Sequence, residues 1–184
     1  MINSKDFPIE VDEEIKLGLA KIEDTEELFK IVDENRGYLA KWLSWVPGWT
    51  IENQQEAIRQ ESRILSEGSG IALNIRYCGE LVGRIGVHSM YLPYRRAEIA
   101  YWLAQPAIGN GVMTRSCRAL VDYLFGTLKL HRIEIRCIPE NTRSSAIPKR
   151  LGFTYEGTLK EASLINGRYV DQEVYRLLEQ EWRT

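Results

Sequence analysis

The chain has 184 residues, a length that suits one well-buried domain and leaves too little for two of ordinary size. A hydrophobic share of 44% beside 27% charged residues is ordinary for a globular protein and excludes a disordered chain. A net charge of −2 argues against direct nucleic-acid binding, no apolar run reaches membrane-spanning length, and residues 1–6 lack the pattern of a signal peptide. Cys78, Cys117 and Cys137 are odd in number and widely spaced, the usage of reduced thiols in a cytoplasmic protein. His88 and His131 are isolated, so no metal site is expected.

In chain order, a first strand is predicted over residues 14–20, where Ile15, Leu17 and Leu19 alternate. Asp24 or Thr25 then caps a helix carrying Leu28, Ile31 and Val32, and Asn35-Arg36-Gly37 ends it. A second short helix is expected to hold Leu39, Trp42 and Leu43 ahead of Pro47-Gly48. Thr50 opens a third helix over residues 51–65, closed at Gly68 to Gly70. Residues 71–77 and 81–88 read as two strands joined around Cys78-Gly79-Glu80, followed by a turn at Leu92-Pro93-Tyr94.

The most informative stretch comes next. Over residues 97–103, Ala97, Ile99, Tyr101 and Leu103 share one strand face, and Glu98, Ala100 and Trp102 the other. After Ile108-Gly109-Asn110-Gly111, the residues Met113, Cys117, Leu120, Val121, Leu124 and Leu128 recur at helical spacing. Two glycines before a helix start allow close backbone approach, and the first helical N–H groups are free donors at a positive dipole end. That combination makes a phosphate cradle over residues 109–114, although a tight turn that binds nothing has the same local pattern. Position 114 is Thr, so no third glycine completes a dinucleotide fingerprint.

Residues 132–138 form a strand expected to lie parallel to 97–103, because a long helix separates the two. Asn141 and Ser144 sit where a brief helix would start, ahead of Leu151-Gly152. Residues 153–165 and 169–178 make a final hairpin about Asn166-Gly167, a favoured two-residue turn. Without repeats or linkers, the whole of residues 1–184 is expected to form one α/β domain with its core over about 14–178.

Taken in order, Tyr38 to Leu43, the strand 97–103, the Gly109-Asn110-Gly111 loop, Asn141-x-x-Ser144, Leu151-Gly152-Phe153 and Tyr175-x-Leu177-Leu178-x-x-Glu181-Trp182 resemble the Gcn5-related N-acetyltransferases, GNAT, and within them the RimJ/RimL group that acts on ribosomal-protein N-termini. The resemblance spans nearly the whole chain. It implies a mixed sheet of about seven strands whose central parallel strands splay apart, flanked by helices, and acetyl-CoA as donor with its pantetheine arm in the split. Two positions depart from the family pattern. Ile108 stands where Gln or Arg opens the pyrophosphate loop, and Pro148 stands where many members carry a tyrosine that acts as general acid. Pro148 has no proton to give, so that role falls to another group or is dispensed with.

The resemblance implies cofactor contacts from Trp102, Leu103, Ala104, residues 109–114 (Gly109, Asn110, Gly111, Val112, Met113, Thr114), Asn141 and Ser144. Glu98, on the strand that would flank the thioester, is the candidate general base, and Ser144 the candidate hydrogen-bond donor to the leaving thiolate. The bland alternatives are an ion pair of Glu98 with Arg95, Arg96 or Arg132, a helix cap for Ser144 and an Asx turn for Asn141. Tyr38, Trp42, Trp45 and Trp49 are candidates for one acceptor wall and Asp171 for another, against ordinary core filling and a solvated strand-end charge. The acceptor the resemblance implies is a protein α-amino group, of ribosomal origin, with a small amine as the alternative enzyme substrate and a non-catalytic acyl-CoA-binding protein as the alternative class. Self-association as a homodimer or larger homo-oligomer stays open.

Overall fold

Strict alternation builds the strands: in β2 (Ile15–Leu19), Ile15 and Leu17 are fully buried while Lys16 between them is exposed. In the computed structural model, which describes residues 2–182, β2 is one of eight strands in a single sheet. The others are β1 (Ile9–Glu10), β3 (Ile71–Tyr77), β4 (Glu80–Tyr91), β5 (Arg96–Leu103), β6 (Arg132–Cys137), β7 (Thr154–Ile165) and β8 (Arg168–Leu178), and the order is β1-β2-β3-β4-β5-β6-β8-β7. The eighth strand beyond the expected seven or so is β1, a two-residue piece paired with Leu17 and Lys16 and too short to show any alternation.

Among the described residues five α-helices accompany the sheet: α1 (Thr25–Glu34), α2 (Arg36–Leu39), α3 (Ile51–Glu67), α4 (Val112–Gly126) and α5 (Thr142–Arg150). Thr50 caps α3 through its side chain, and Gly68 ends it in the left-handed conformation. The second helix departs from expectation. It begins before Gly37 and stops at Leu39, leaving Trp42 and Leu43 in a chain of turns. Beyond those turns the Arg36 guanidinium donates to the carbonyls of Val46, Pro47 and Trp49 and holds residues 46–49 in a loop.

The two faces of the sheet bury different partners. Ala97 and Ile99 of β5 join Cys117, Leu120, Val121 and Leu124 of α4 in the main core. On the opposite face, Trp102 packs against Val32, Leu39 and Val46, the cluster under α1 and α2. Those buried aliphatics fix the register, since a one-residue slip would send Ile99 to the wrong face.

The central strands part as expected. β5 and β6 pair in parallel from Arg96↔Arg132 to Ile99↔Ile135 and no further. Beyond that point Ala100 to Leu103 pair only with β4, and Arg136 and Cys137 only with β8. Peptide groups of Ala100–Leu103 that face β6 are therefore left without a strand partner.

Candidate active site

The parting of β5 and β6 opens a cleft of about 1010 Å³. Its walls come from the ends of β5 and β6, the starts of α4 and α5, the turns after α2, and the final hairpin. Glu98 is the only acidic side chain among the described residues that line it, against four arginines: Arg115, Arg136, Arg143 and Arg150.

The cradle sits at the start of α4. Gly109 and Gly111 have φ of +95° and +71°, and Gly111 is the N-cap. Val112 and Met113 drive their side chains into the main core, 1% and 7% exposed. Their burial holds the first turn of α4 in place, and the N–H groups of Val112, Met113 and Thr114 have no acceptor within the helix. No atom comes within 4 Å of a Cβ built at Gly109, and only Arg115 Nε, at 3.9 Å, approaches one at Gly111. The space over the loop is thus open to a ligand. Arg115 ties the loop down, bonding Asp12 at 2.7 Å, Glu14 at 2.9 Å and the Asn110 carbonyl at 3.2 Å. Arg150, unsuspected in the sequence, reaches Thr114 Oγ1. Free N–H groups, an open surface and nearby arginines fit a pyrophosphate and its neighbouring phosphate. Asn110 and Ala104 lie outside the cleft lining; the Ala104 N–H is committed to Val82 at 2.7 Å.

Glu98 lies half-buried at the fork. Its Oε2 is 3.2 Å from Arg136 Nε, and Arg136 also reaches Glu134 at 3.4 Å. Burial raises the Glu98 pKa above the usual carboxylate range, Arg136 opposes that rise, and Glu134 adds to it. Its partner is thus Arg136, across the parallel pair, and not Arg95, Arg96 or Arg132. Arg132 is engaged by Glu134 and Glu156.

Ser144 faces the cleft from the third residue of α5. The N-cap is Asn141, whose Oδ1 accepts the Ser144 N–H at 3.2 Å. Ser144 is therefore not the cap, and its hydroxyl lies 3.3 Å from Cys137 Sγ and 3.4 Å from the Tyr101 hydroxyl. Tyr101 in turn donates to the Ser144 carbonyl at 3.0 Å. Burial holds the Tyr101 hydroxyl well above its ordinary pKa and also raises the Cys137 thiol, so both stay protonated at neutral pH.

Aromatic side chains gather at the far end. Tyr38, Trp42 and Trp45 line the cleft. Trp49 does not; it packs edge-on against Trp45 with ring centres 4.6 Å apart and donates to Gln54 at 3.1 Å. Asp171 also stands outside the lining. Residues 160–162 bulge from β7 opposite it, and its carboxylate binds Lys160 Nζ at 2.8 Å and the Glu161 N–H at 3.0 Å. The second wall comes instead from Ser163, Ile165 and Gln172, which the sequence reading did not single out.

The acetyltransferase (GNAT) domain family matches residues 15–154. The chain belongs to this family. It is an N-acetyltransferase, and acetyl-CoA is its acyl donor. YdaF of Bacillus subtilis (strain 168), provisionally named a ribosomal N-acetyltransferase, is 34% identical over 178 residues, covering 96% of this chain and 97% of that protein. The crystal structure of the microcin C7 self-immunity acetyltransferase, in complex with acetyl-CoA and AMP, superposes with a TM-score of 0.90 at 27% identity, over 93% of this chain and 96% of that one. RimL, a ribosomal L7/L12 α-N-protein acetyltransferase solved with coenzyme A, gives 0.89 at 25% identity over 93% and 97%. The shared scaffold does not by itself fix the acceptor, so the residues at the acceptor end must discriminate.

Proposed function

We propose that this acetyltransferase acts on the N-terminal α-amino group of a protein, of the ribosomal class named for its relatives, by direct attack while donor and acceptor are both bound. The observation that carries this reading is the composition of the cleft: aromatic at the acceptor end, with Glu98 as its one carboxylate. A polyamine or aminoglycoside would bring several positive charges past Arg136 and find a single carboxylate, already paired. A peptide N-terminus brings one charge and apolar surface suited to Tyr38, Trp42 and Trp45.

Acetyl-CoA, when bound, supplies an acyl thioester open to attack by an amine. The free N–H groups of Val112, Met113 and Thr114 would hold its pyrophosphate, and the unpaired edge of Ala100–Leu103 would receive its amide-bearing arm. Asn141, fixed by its own cap bond, borders the same channel. A protein amine has a pKa of about 7.7–8.0, so a minority is neutral at pH 7. Glu98 accepts the proton from the remainder, directly or through one water, and its raised pKa makes it a stronger base. As the new C–N bond forms and the C–S bond breaks, the nitrogen sheds its remaining extra proton to water, and the Ser144 hydroxyl donates a hydrogen bond to the sulfur, which leaves as a thiolate. Little proton transfer is needed there, since a thiol of pKa about 8.5 leaves readily.

The test is labelled acetyl transfer into a lysate with the product identified by mass, beside a panel of peptides and small amines. Labelling of a protein N-terminus is expected. Turnover of small amines alone would overturn the reading.

A further inference from the structure

Beside the main cleft lies a second cavity of about 380 Å³ that no step above uses. Trp42, Ile138 and Ile165 line both, so these three side chains form the sill between them. Asn166, which also borders the second cavity, donates from Nδ2 to the Ala40 carbonyl at 2.9 Å. That bond ties the tip of the β7–β8 hairpin to the turn after α2 and fixes the cavity's rim.

Three charged side chains line this cavity: Lys41, Glu140 and Arg168. Glu140 is taken by Arg168, with 3.6 Å between Oε1 and Nη2. Lys41 is exposed, and among the described residues the lysine ion pairs involve Lys16, Lys30 and Lys160 instead. Whatever leaves the main cleft over Trp42 therefore meets one uncompensated ammonium.

We propose that the second cavity is a subsite for the acceptor segment behind the acetylated residue, and that Lys41 selects acceptors carrying an aspartate or glutamate there. This rests on the protein N-terminus as acceptor. An extended peptide advances about 3.3 Å per residue and points alternate side chains to opposite sides. Positions two to four of the acceptor cover about 10 Å. A carboxylate among them would pair with Lys41 at the rim, where an ion pair is partly screened and its effect modest.

The experiment uses peptides that share an N-terminal serine and carry Ala, Asp or Lys in turn at the second, third or fourth position. At one of those positions the wild type should turn over the Asp peptide about fivefold better in kcat/KM than the Ala peptide, and the Lys peptide worse still. Lys41→Ala should flatten this ranking, Lys41→Glu should invert it, and added salt should compress it. Peptides acetylated with equal kcat/KM whatever their charge, or a ranking unchanged in Lys41→Glu, would remove the subsite while leaving the acceptor reading intact. Acetylation of small amines with every peptide ignored would instead defeat the acceptor reading, and the subsite with it.

Discussion

The Tyr101 hydroxyl donates to the Ser144 carbonyl at 3.0 Å, and that carbonyl is the one an N–H at position 148 would otherwise take. Pro148 stands inside α5 and has no N–H to offer. The residue that replaces the expected acid thus frees an acceptor, and a tyrosine from β5 occupies it. This bond holds Tyr101 against Ser144 at the centre of the cleft.

Removing that hydroxyl should be felt in stability. Tyr101→Phe is expected to cost about 1 kcal/mol in urea unfolding, the usual net worth of a buried hydrogen bond. In a Pro148→Ala background the new backbone N–H competes for the same carbonyl, so the cost of Tyr101→Phe should fall to about half. Equal costs in the two backgrounds would show that the bonds are independent.

Glu98→Gln should lower kcat/KM for a peptide by roughly 10²-fold at neutral pH, within the range of general-base assistance. The deficit should shrink at high pH, where the amine is neutral unaided. Arg136→Ala removes the group that opposes the burial-raised pKa of Glu98, so the acid limb of the pH–rate profile should move to higher pH. A limb that stays in place would take Glu98 out of the proton transfer. Ser144→Ala should cost less than Glu98→Gln, because the thiolate needs little help to depart.

Gly111→Val should weaken coenzyme A binding in calorimetry. The site has room for a Cβ, but φ of +71° costs a branched residue about 1–2 kcal/mol, and the added side chain stands over the N–H cradle. Unchanged affinity in a folded variant would place the pyrophosphate elsewhere.

Trp45 and Trp49 should separate. Trp45 lines the cleft, so Trp45→Ala should raise KM for a peptide acceptor with little change in KM for acetyl-CoA. Trp49 supports it from behind and bonds Gln54, so Trp49→Ala should lower thermal stability more than it alters peptide KM. Identical kinetic effects of the two would contradict this division.

Local pattern was sufficient for most of the fold, because burial imposes a period that can be read along the chain. Alternation in residues 97–103, the spacing of Cys117, Leu120, Val121 and Leu124, and the Asn166-Gly167 turn at φ of +49° and +77° each follow from contacts between near neighbours in sequence. The parallel pairing of β5 with β6 followed from the long helix between them. The turn at Gly109 and Gly111 and the helix start that follows were legible for the same reason, since both are set by near neighbours in sequence.

What tertiary structure alone decided were the partners brought together from distant segments. Nothing near Glu98 in sequence marks Arg136, which meets it only across the β5–β6 pair. Arg36 fixes the loop beyond the second helix by reaching carbonyls 10 to 13 residues ahead. Asp171 proved to hold a bulge in β7, and Trp49 to stand behind Trp45, because hairpin register and ring packing set which side chains face the cleft. Tyr101 was placed by alternation on the core face, and only the missing N–H of Pro148, seen with α5 docked beside β5, shows why its hydroxyl points at Ser144. Period fixes which face a residue takes; the partner it meets there depends on loops closed through three dimensions.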